Sequence, residues 1–305
     1  MNLVEQMKDV VEKIDITIDL GNANYKMLVN EKQIIDSSNV EEVAVESFGA
    51  YKVNNKFYIF GEGAAAKYNT NKIIEEKRAL LGRALYSVLP NGKEVEITTL
   101  LPLSLYVENE NKEKFKKMLE GNYEVVNPNG YVKTFCVKNV NVCCEGFSSL
   151  MVDADLLKQA LYLVDFGGVD ITGCYVNRTP VVNQSFSIEN GMNIFYTELA
   201  KVLTSKFLES YSNKDAELVY QKYEDLNEDL KQVIDDFAKT YIQKNVYQKL
   251  NQIGYKPLIH KLVLTGGGAV ALERYLKQDK NIVIIDDALW SNVKGANIIN
   301  KRRAR

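Results

Sequence analysis

The chain has 305 residues, of which 46% are hydrophobic and 26% are charged, and its formal net charge is −2. This composition is typical of a folded globular protein and gives enough length for two domains. The charge balance argues against a protein that binds DNA of any sequence through a basic face. No apolar run approaches the ~20 residues that cross a bilayer, and the four cysteines form no CxxC pair. We therefore expect a cytoplasmic protein with reduced thiols, no membrane segment and no direct contact with DNA.

The first half of the chain predicts a mixture of strands and helices. Residues 1–13 predict a short amphipathic extension. Alternation and β-branched residues then predict four strands, at 14–20, 25–30, 43–46 and 57–60. The following segments predict a helix over 61–89 broken near 68–71, a strand over 94–101, a charged helix over 111–119, strand character over 123–144 and a helix over 145–157.

The second half begins with two strands around a Gly-Gly turn, over 160–176. It continues with predicted helices at 189–210 and 226–250, and with a strand, a glycine turn and a helix in direct succession over 261–276. No linker rich in Pro, Gly or Ser separates the halves, so we expect them to pack closely. The two halves also begin alike, because 14–29 and 161–176 share the layout strand, Asp-x-Gly, strand.

These two matching stretches have the composition of a phosphate site. A carboxylate ends each strand, at Asp19 and Asp165, and a glycine follows two residues later, at Gly21 and Gly167. Glycine allows successive backbone N–H groups to face an anion. A carboxylate repels phosphate, so the combination is intelligible only with Mg²⁺ or its water shell in between. Lys26, on the returning strand, supplies a charge for phosphate oxygens. One such loop also fits an ordinary hairpin turn, whereas two facing copies favour a phosphate site.

A third glycine-rich stretch follows an apolar strand and opens a helix, at Gly266, Gly267 and Gly268. There the backbone N–H groups and the helix dipole would face a ligand. The dinucleotide fingerprint GxGxxG requires glycine at its last position, where this chain has Ala271, and a following βαβ unit is missing. The chain has no GxxxxGK[ST] motif either, which excludes the P-loop class.

Taken in order, the stretches DLGNANYK (19–26), LVDFGGVDITG (163–173) and LVLTGGGA (262–269) resemble the phosphate and adenosine motifs of the actin and heat-shock-chaperone ATPase superfamily. Within it, the resemblance is to bacterial plasmid-segregating actins of the ParM and AlfA kind. Three further segments extend the resemblance over about 14–300, namely TTLLPLSLY (98–106), NGMNIFYTELAKVL (190–203) and DDALWSNVKGANIIN (286–300), the last with an Asn-x-x-Gly motif.

The resemblance implies an α/β actin-like fold, with two duplicated α/β domains around a nucleotide cleft. Domain I would span 14–158, with a small subdomain inserted at about 31–95, and domain II would span 159–305, after the extension at 1–13. Only about 90 residues separate the second phosphate loop from the adenosine motif, which is short for ParM. We therefore expect the small subdomain of the second domain to be reduced or absent.

The resemblance also implies roles for single residues. Asp19 and Asp165 would hold, through water, a Mg²⁺ ion bound with the nucleotide, and Glu145 and Asp165 would be the catalytic residues. The nucleotide-binding residues of the two phosphate loops would be Asp19, Gly21, Asn22, Asn24, Lys26, Gly167, Gly168, Val169 and Asp170. The adenine and ribose would contact Gly266, Gly267 and Gly268, with Thr197 and Lys201 as weaker candidates.

Several of these residues also have simpler interpretations. Glu145 is an acid of the kind that stabilises the start of a helix through the macrodipole. Asp170 either touches water or metal or only shifts the turn. Thr197 and Lys201 also fit the solvent face of a helix.

The activity implied by the resemblance is that of an actin-like cytoskeletal ATPase. Such a protein polymerises with bound ATP, or alternatively GTP, and hydrolyses the nucleotide in the filament. It would move plasmid DNA through a DNA-binding adaptor of the ParR type. A small-molecule kinase or phosphatase of the same fold is an alternative, with Asp153 or Asp155 as the catalytic acid. A scaffold that binds nucleotide without hydrolysing it is a third interpretation.

Overall fold

The structure is a computed structural model that describes residues 14–45, 47–61, 71–276 and 280–303. The predicted extension at 1–13, and residues 62–70 of the predicted helix at 61–89, lie outside the described residues. Two β-sheets with helices packed against them account for most of the ordered elements. No helix in the described ranges is long and apolar enough to cross a membrane.

The first sheet has nine strands, in the spatial order β3-β2-β1-β7-β9-β8-β5-β6-β4. Their bounds are β1 Ile16–Asp19, β2 Asn24–Val29, β3 Lys32–Ser37, β4 Val40–Val43, β5 Tyr51–Val53, β6 Lys56–Phe60, β7 Lys93–Leu101, β8 Gly121–Val126 and β9 Val132–Cys144. Strands β1, β7 and β9 are parallel, so their carboxyl ends meet at one edge of the sheet. This edge therefore brings Asp19 close to Glu145, which follows β9 directly.

Three helices cover this sheet, namely α1 (Glu75–Val88), α2 (Leu103–Tyr106) and α3 (Asn109–Leu119). Their apolar positions form one core with the sheet, in which Leu80, Leu85 and Phe115 are fully buried. The charged residues of α3 face solvent, as the amphipathic pattern of its sequence predicts.

The second sheet has five strands, in the order β12-β11-β10-β13-β14. Their bounds are β10 Leu161–Phe166, β11 Ile171–Asn177, β12 Thr179–Ile188, β13 Lys261–Thr265 and β14 Ile282–Ile284. Strand β10 is buried along its whole length and runs parallel to β13, which places Asp165 beside Thr265. A second core forms between this sheet and the helices α4 Met192–Phe207, α5 Asn213–Gln221, α6 Glu228–Ile242, α7 Gln248–Gln252, α8 Gly267–Ala271 and α9 Glu273–Leu276.

The last helix, α10 (Ser291–Arg303), returns from the second sheet to the first half of the chain. It packs against the 3₁₀ turn Phe147–Val152 and against β1 and β7. The approach is so close that a Cβ atom on Gly295 would lie 1.7 Å from the carbonyl oxygen of Ser148. The helix belongs to the predicted domain II by sequence, yet it contacts both halves. The domain boundaries themselves stay a prediction.

The predicted elements differ from the structure mainly at edges and turns. The strand predicted at 43–46 lies at Val40–Val43, and the edge strands β3 and β12 were not predicted because their exposed residues break the apolar alternation. Residues 145–157 form two 3₁₀ turns, Phe147–Val152 and Leu156–Lys158, instead of the predicted helix. The long helix predicted at 226–250 is present, with a π-helical turn at Gln243–Tyr247.

Candidate active site

The first predicted phosphate loop is the turn between β1 and β2. The antiparallel register pairs Asp19 with Lys26, and the Lys26 Nζ lies 3.9 Å from Asp19 Oδ2. A Cβ atom on Gly21 would lie 2.4 Å from the carbonyl oxygen of Asn24, so this tight turn requires glycine. Asn24 is exposed, whereas the Oδ1 atom of Asn22 is buried without a hydrogen-bond partner among the described residues. The loop thus presents a lysine and a buried acceptor next to the carboxylate.

The second predicted phosphate loop lies between β10 and β11 and faces the first. A Cβ atom on Gly168 would lie 2.6 Å from the Cβ atom of Ala23, so the two loops touch. Within the second loop, the Gly167 N–H donates to the Asp170 carbonyl over 2.8 Å. Asp170 itself is half-buried, and the Val169 side chain is buried in the protein. Val169 can therefore meet a ligand only through its backbone.

The N-terminus of helix α4 contacts the backbone of this second loop. The Gly191 N–H donates to the Val169 carbonyl over 2.8 Å, and the Asn193 N–H donates to the Gly168 carbonyl over the same distance. A Cβ atom on Gly191 would lie 2.6 Å from the backbone of Gly168. The first amides of the helix are thus used to hold the loop in place.

The third glycine stretch packs against the end of β10. Gly266 has a φ of +89°, and a Cβ atom on it would lie 2.5 Å from Asp165 Oδ1. Gly268 is buried against the ring of Phe166, where a Cβ atom would lie 2.5 Å from the ring carbon Cδ2. Close packing on the second loop therefore explains two of the three glycines. Contact of Gly266, Gly267 and Gly268 with adenine and ribose stays a prediction.

Glu145 lies at the edge where the predicted phosphate loops meet. It follows β9, and its backbone N–H donates to the Leu101 carbonyl over 2.8 Å. Its Oε2 atom accepts a hydrogen bond from Lys72 Nζ over 2.7 Å, and the same ammonium donates to Asp19 Oδ1 over 3.1 Å. Lys72 is only 2% exposed, so it forms a buried bridge between two carboxylates that are far apart in the sequence.

Sequence reasoning missed Lys72 and a second buried lysine, Lys77. Lys77 lies in the first turn of α1, is 5% exposed, and donates through Nζ to the Gly21 carbonyl over 2.7 Å. Neither lysine belongs to a recognisable motif. Lys77 occupies a core-facing position of α1, which is a local signal, whereas Lys72 precedes the helix and has none. Together with Lys26 they give this site three lysine side chains.

The acidic groups of the site outnumber these lysines. Burial raises the pKa of Glu145 to about 7, although Lys72 opposes the shift. Burial likewise raises the pKa of Asp165 to about 6 and also raises the pKa of Asp170. Burial would raise the pKa of Asp19 too, but Lys72 and Lys26 more than offset it, and the net shift is downward. Glu145, Asp165 and Asp170 thus form a group of acids that would stabilise an additional cation.

The pKa values of the two buried lysines are shifted in opposite directions. Burial and the neighbouring Lys72 lower the pKa of Lys77 to about 7. Burial would also lower the pKa of Lys72, but Asp19 and Glu145 raise it above its ordinary value. Lys72 therefore keeps its positive charge at neutral pH.

The donor set fits Mg²⁺ held through water and phosphate oxygens. The part of the chain that the structure describes contains no cluster of three or more His, Cys, Asp or Glu side chains that could hold a metal ion. Asp19, Asp165 and Asp170 offer the hard oxygen atoms that Mg²⁺ prefers. The buried Oδ1 atom of Asn22, which has no partner among the described residues, would accept a hydrogen bond from a metal-bound water. Mg²⁺ commonly keeps several waters and binds through one or two carboxylates plus phosphates.

A cavity of about 160 Å³ lies beside Glu145 and Asp165. Its wall is formed from both halves of the chain and includes the hydroxyl groups of Ser104, Thr172 and Ser187. This volume holds several water molecules. Glu145 therefore borders a space large enough for water.

The two predicted ligands on α4 lie in a separate groove. Thr197 donates to the Asn193 carbonyl and accepts from Asn213 Nδ2, each over 2.8 Å. Lys201 is exposed, and both residues line a groove between α4 and α5 with Tyr211. The structure gives neither residue a contact with the phosphate loops, and their role at the nucleotide stays a prediction.

The acids proposed for a metabolite kinase lie outside the site. Asp153 and Asp155 are exposed. Asp155 forms an ion pair with Lys158 over 2.7 Å, and Asp153 accepts a hydrogen bond from the Asp155 N–H. They stabilise a surface turn and do not line the cavity beside Glu145.

Comparison with known proteins identifies the architecture. Residues 17–147 match the family model described as the N-terminal domain of actin-like proteins. No curated protein sequence matches the chain. An archaeal actin homologue, Ta0583, superposes with a TM-score of 0.77 over 95% of this chain and 99% of its own, at 17% identity. The chain has the actin-like fold.

Other solved actin-like proteins superpose to a similar extent. Actin-like protein Alp7A has a TM-score of 0.76, with 15% identity over 96% of this chain and 100% of its own. A ParM from Clostridium botulinum, solved as a 15-stranded filament, has a TM-score of 0.70, with 20% identity over 95% of this chain and 99% of its own. The archaeal homologue has also been solved in complex with ADP. These findings confirm the predicted fold class and the resemblance of this actin-like chain to ParM-type proteins.

Proposed function

We propose that this chain is a cytoplasmic actin-like ATPase that polymerises with bound ATP and hydrolyses the nucleotide within the filament. We further propose that the filament segregates plasmid DNA through a DNA-binding adaptor of the ParR type. One observation carries the nucleotide part of the proposal. The two Asp-x-Gly loops touch at Ala23 and Gly168, and they bring Asp19 and Asp165 to one cleft beside Glu145.

The residues of the cleft divide the work of phosphoryl transfer, which is mainly positioning and charge stabilisation. Backbone N–H groups around Gly21 and Gly167 would bind phosphate oxygens. Lys26 would neutralise the charge that develops on the transferred group. Glu145, which has a pKa of about 7 and lines the cavity of about 160 Å³, would orient the attacking water and accept its proton.

Asp19 and Asp165 would hold the water shell of Mg²⁺, with Asp170 close by. When bound, the ion supplies charge neutralisation of the β- and γ-phosphates. Lys72 holds Glu145 and Asp19 in fixed positions on the other side of the cleft. The chain thereby keeps its own carboxylates oriented.

Self-association is supported by two neighbours solved as filaments, the ParM from Clostridium botulinum and Alp12. Loss of the γ-phosphate, which contacts both loops, would free the halves to move relative to each other and weaken filament contacts. The net charge of −2 supports an adaptor between filament and DNA.

Sedimentation and phosphate release test the proposal together. We expect polymer in the pellet with Mg-ATP, less polymer after the ATP is consumed, and none without nucleotide. Parallel reactions with GTP determine the nucleotide preference. Double-stranded DNA added alone should stay in the supernatant. Phosphate release without any sedimentable polymer, under every nucleotide, would remove the filament function and favour the metabolite kinase.

A further inference from the structure

The first turn of α10 reaches into the active site through Asn292. Its Nδ2 group donates to Asp165 Oδ2 over 2.5 Å, and its Oδ1 atom accepts from the Gly146 N–H over 2.8 Å. Asn292 is 7% exposed. One buried amide therefore joins the carboxylate of the second phosphate loop to the backbone next to Glu145.

The orientation of that amide is fixed by both partners. A carboxylate oxygen can only accept, and a backbone N–H can only donate, so the side chain must present its NH₂ to Asp165 and its oxygen to Gly146. Gly146 has a φ of +72°, a left-handed conformation that is cheap only for glycine. The bond from Asn292 holds the chain in this conformation directly after Glu145.

Gly295, the glycine of the Asn-x-x-Gly motif, explains why the amide can reach so far. Residue 295 lies about one turn after Asn292 on the same face of the helix. Only a residue without a side chain allows α10 to lie against the backbone of Ser148. The close approach at Gly295 brings Asn292 within hydrogen-bonding distance of both active-site partners.

We propose that Asn292 is a positioning residue that sets the orientation of Asp165 for Mg²⁺-dependent nucleotide binding and, through Gly146, the position of Glu145. With Oδ2 held by Asn292, the carboxylate of Asp165 keeps Oδ1 for the water shell of the ion. This inference rests on the proposed function. It assigns the Asn-x-x-Gly motif to the reaction, beyond its use in helix packing.

The Mg²⁺ dependence of nucleotide affinity distinguishes positioning from a structural role. Affinity for a fluorescent ADP is measured by equilibrium titration in Mg²⁺ and in EDTA, for the full chain and for Asn292→Ala. Partners that orient metal ligands are typically worth roughly 10- to 100-fold in metal affinity. We expect the gain in affinity that Mg²⁺ provides to fall by about this factor, while the affinity in EDTA stays unchanged.

Asn297→Ala is the matched control. Asn297 is also buried on α10, at 6% exposure, but its partners are Thr17 and Glu31. It should leave the Mg²⁺-dependent gain unchanged, whatever it does to stability. An Asn292→Ala protein that loses affinity equally in Mg²⁺ and EDTA, or not at all, would overturn the positioning role.

A double-mutant cycle with Asp165→Asn keeps the inference testable if Asn292→Ala is poorly folded. In the natural chain, Asn292→Asp should strongly reduce the Mg²⁺-dependent gain in affinity, because two carboxylates then face each other. In the Asp165→Asn background, the same substitution should cause no further loss of that gain. Additive losses would overturn the inference. A natural chain that binds no nucleotide in Mg²⁺ would instead overturn the proposed function itself.

Discussion

The ammonium nitrogen of Lys72 lies 2.7 Å from Oε2 of Glu145, and both groups belong to one buried charge cluster. Removing one partner of a buried ion pair leaves the other charge without compensation, at a cost of roughly 3–5 kcal/mol. In Lys72→Met two carboxylates, Asp19 and Glu145, would lose that compensation. We expect a free energy of unfolding lower by about this amount, measured by urea denaturation, and phosphate release slower by roughly 10²-fold.

Lys56→Met is the control for this prediction, because the Lys56–Glu42 ion pair is exposed on the first sheet. Exposed pairs contribute little, so neither stability nor turnover should change measurably. Equal effects of Lys56→Met and Lys72→Met on turnover would contradict a specific role for Lys72 in the active site.

Glu145→Gln should separate hydrolysis from assembly. The amide keeps the size of the side chain and one oxygen that can accept from Lys72, but it does not accept the proton of the attacking water. A general base typically contributes 10²–10⁴-fold, so we expect phosphate release to fall by roughly this range while Mg-ATP still produces sedimentable polymer. The polymer should also persist longer, because the γ-phosphate is retained.

The surface acid Asp155 provides a control that also tests the rival function. Asp155→Asn should leave phosphate release unchanged, since Asp155 only pairs with Lys158 at a surface turn. Abolished turnover in Asp155→Asn together with normal turnover in Glu145→Gln would favour the metabolite kinase.

The two Asp-x-Gly loops were predictable because their signals are local, and the fold class followed from the resemblance of several motifs to those of actin-like proteins. Asp19 and Gly21 lie in one turn, Asp165 and Gly167 in another, and apolar β1 and β10 precede them. Lys72 was not predictable, because its contacts lie 53 and 73 residues away in the sequence and no spacing rule connects them. Its importance follows only from burial in the folded chain.

Other differences have equally physical origins. The exposed edge strand β12 carries too few apolar residues for its alternation to stand out. The 3₁₀ turn Phe147–Val152 has the composition of a helix, but the close contact with α10 at Gly295 fixes a tighter conformation. The amide bridge of Asn292 depends on that same contact. Tertiary packing, and not local propensity, therefore determined the conformation of this turn and the position of Asn292.

The raised pKa values predict how stability depends on pH in the protein without nucleotide. Glu145 has a pKa of about 7 in the folded chain against an ordinary value of 4.5. The folded state therefore holds this proton more tightly, and the associated stabilisation is fully present below pH 4.5 and is lost as the pH rises through 7. Glu145→Gln should flatten the pH profile of the free energy of unfolding in this window.

Urea denaturation at a series of pH values checks this expectation. Asp165, whose pKa is about 6, still titrates in Glu145→Gln, so a smaller decline of stability should remain. Glu94→Gln, on an exposed ion pair with Lys138, is the control and should follow the natural profile. A Glu145→Gln profile identical to that of the natural chain would contradict a raised pKa at Glu145.

Substitutions at Gly168 and Ala23 test the contact between the two phosphate loops directly. A Cβ atom on Gly168 would lie 2.6 Å from the Cβ atom of Ala23, so Gly168→Ala must push the loops apart. Overpacking of this kind typically costs 1–3 kcal/mol. If both loops bind one nucleotide, Gly168→Ala should weaken ATP binding, measured by equilibrium titration, by a factor of roughly 5 to 150.

Ala23→Gly alone should change the affinity for ATP little. Ala23→Gly combined with Gly168→Ala should restore most of the affinity, because the obstructing methyl group is removed from the facing loop. A double variant as weak as Gly168→Ala would show that the damage lies within the second loop and that closure of the two loops on each other does not control binding.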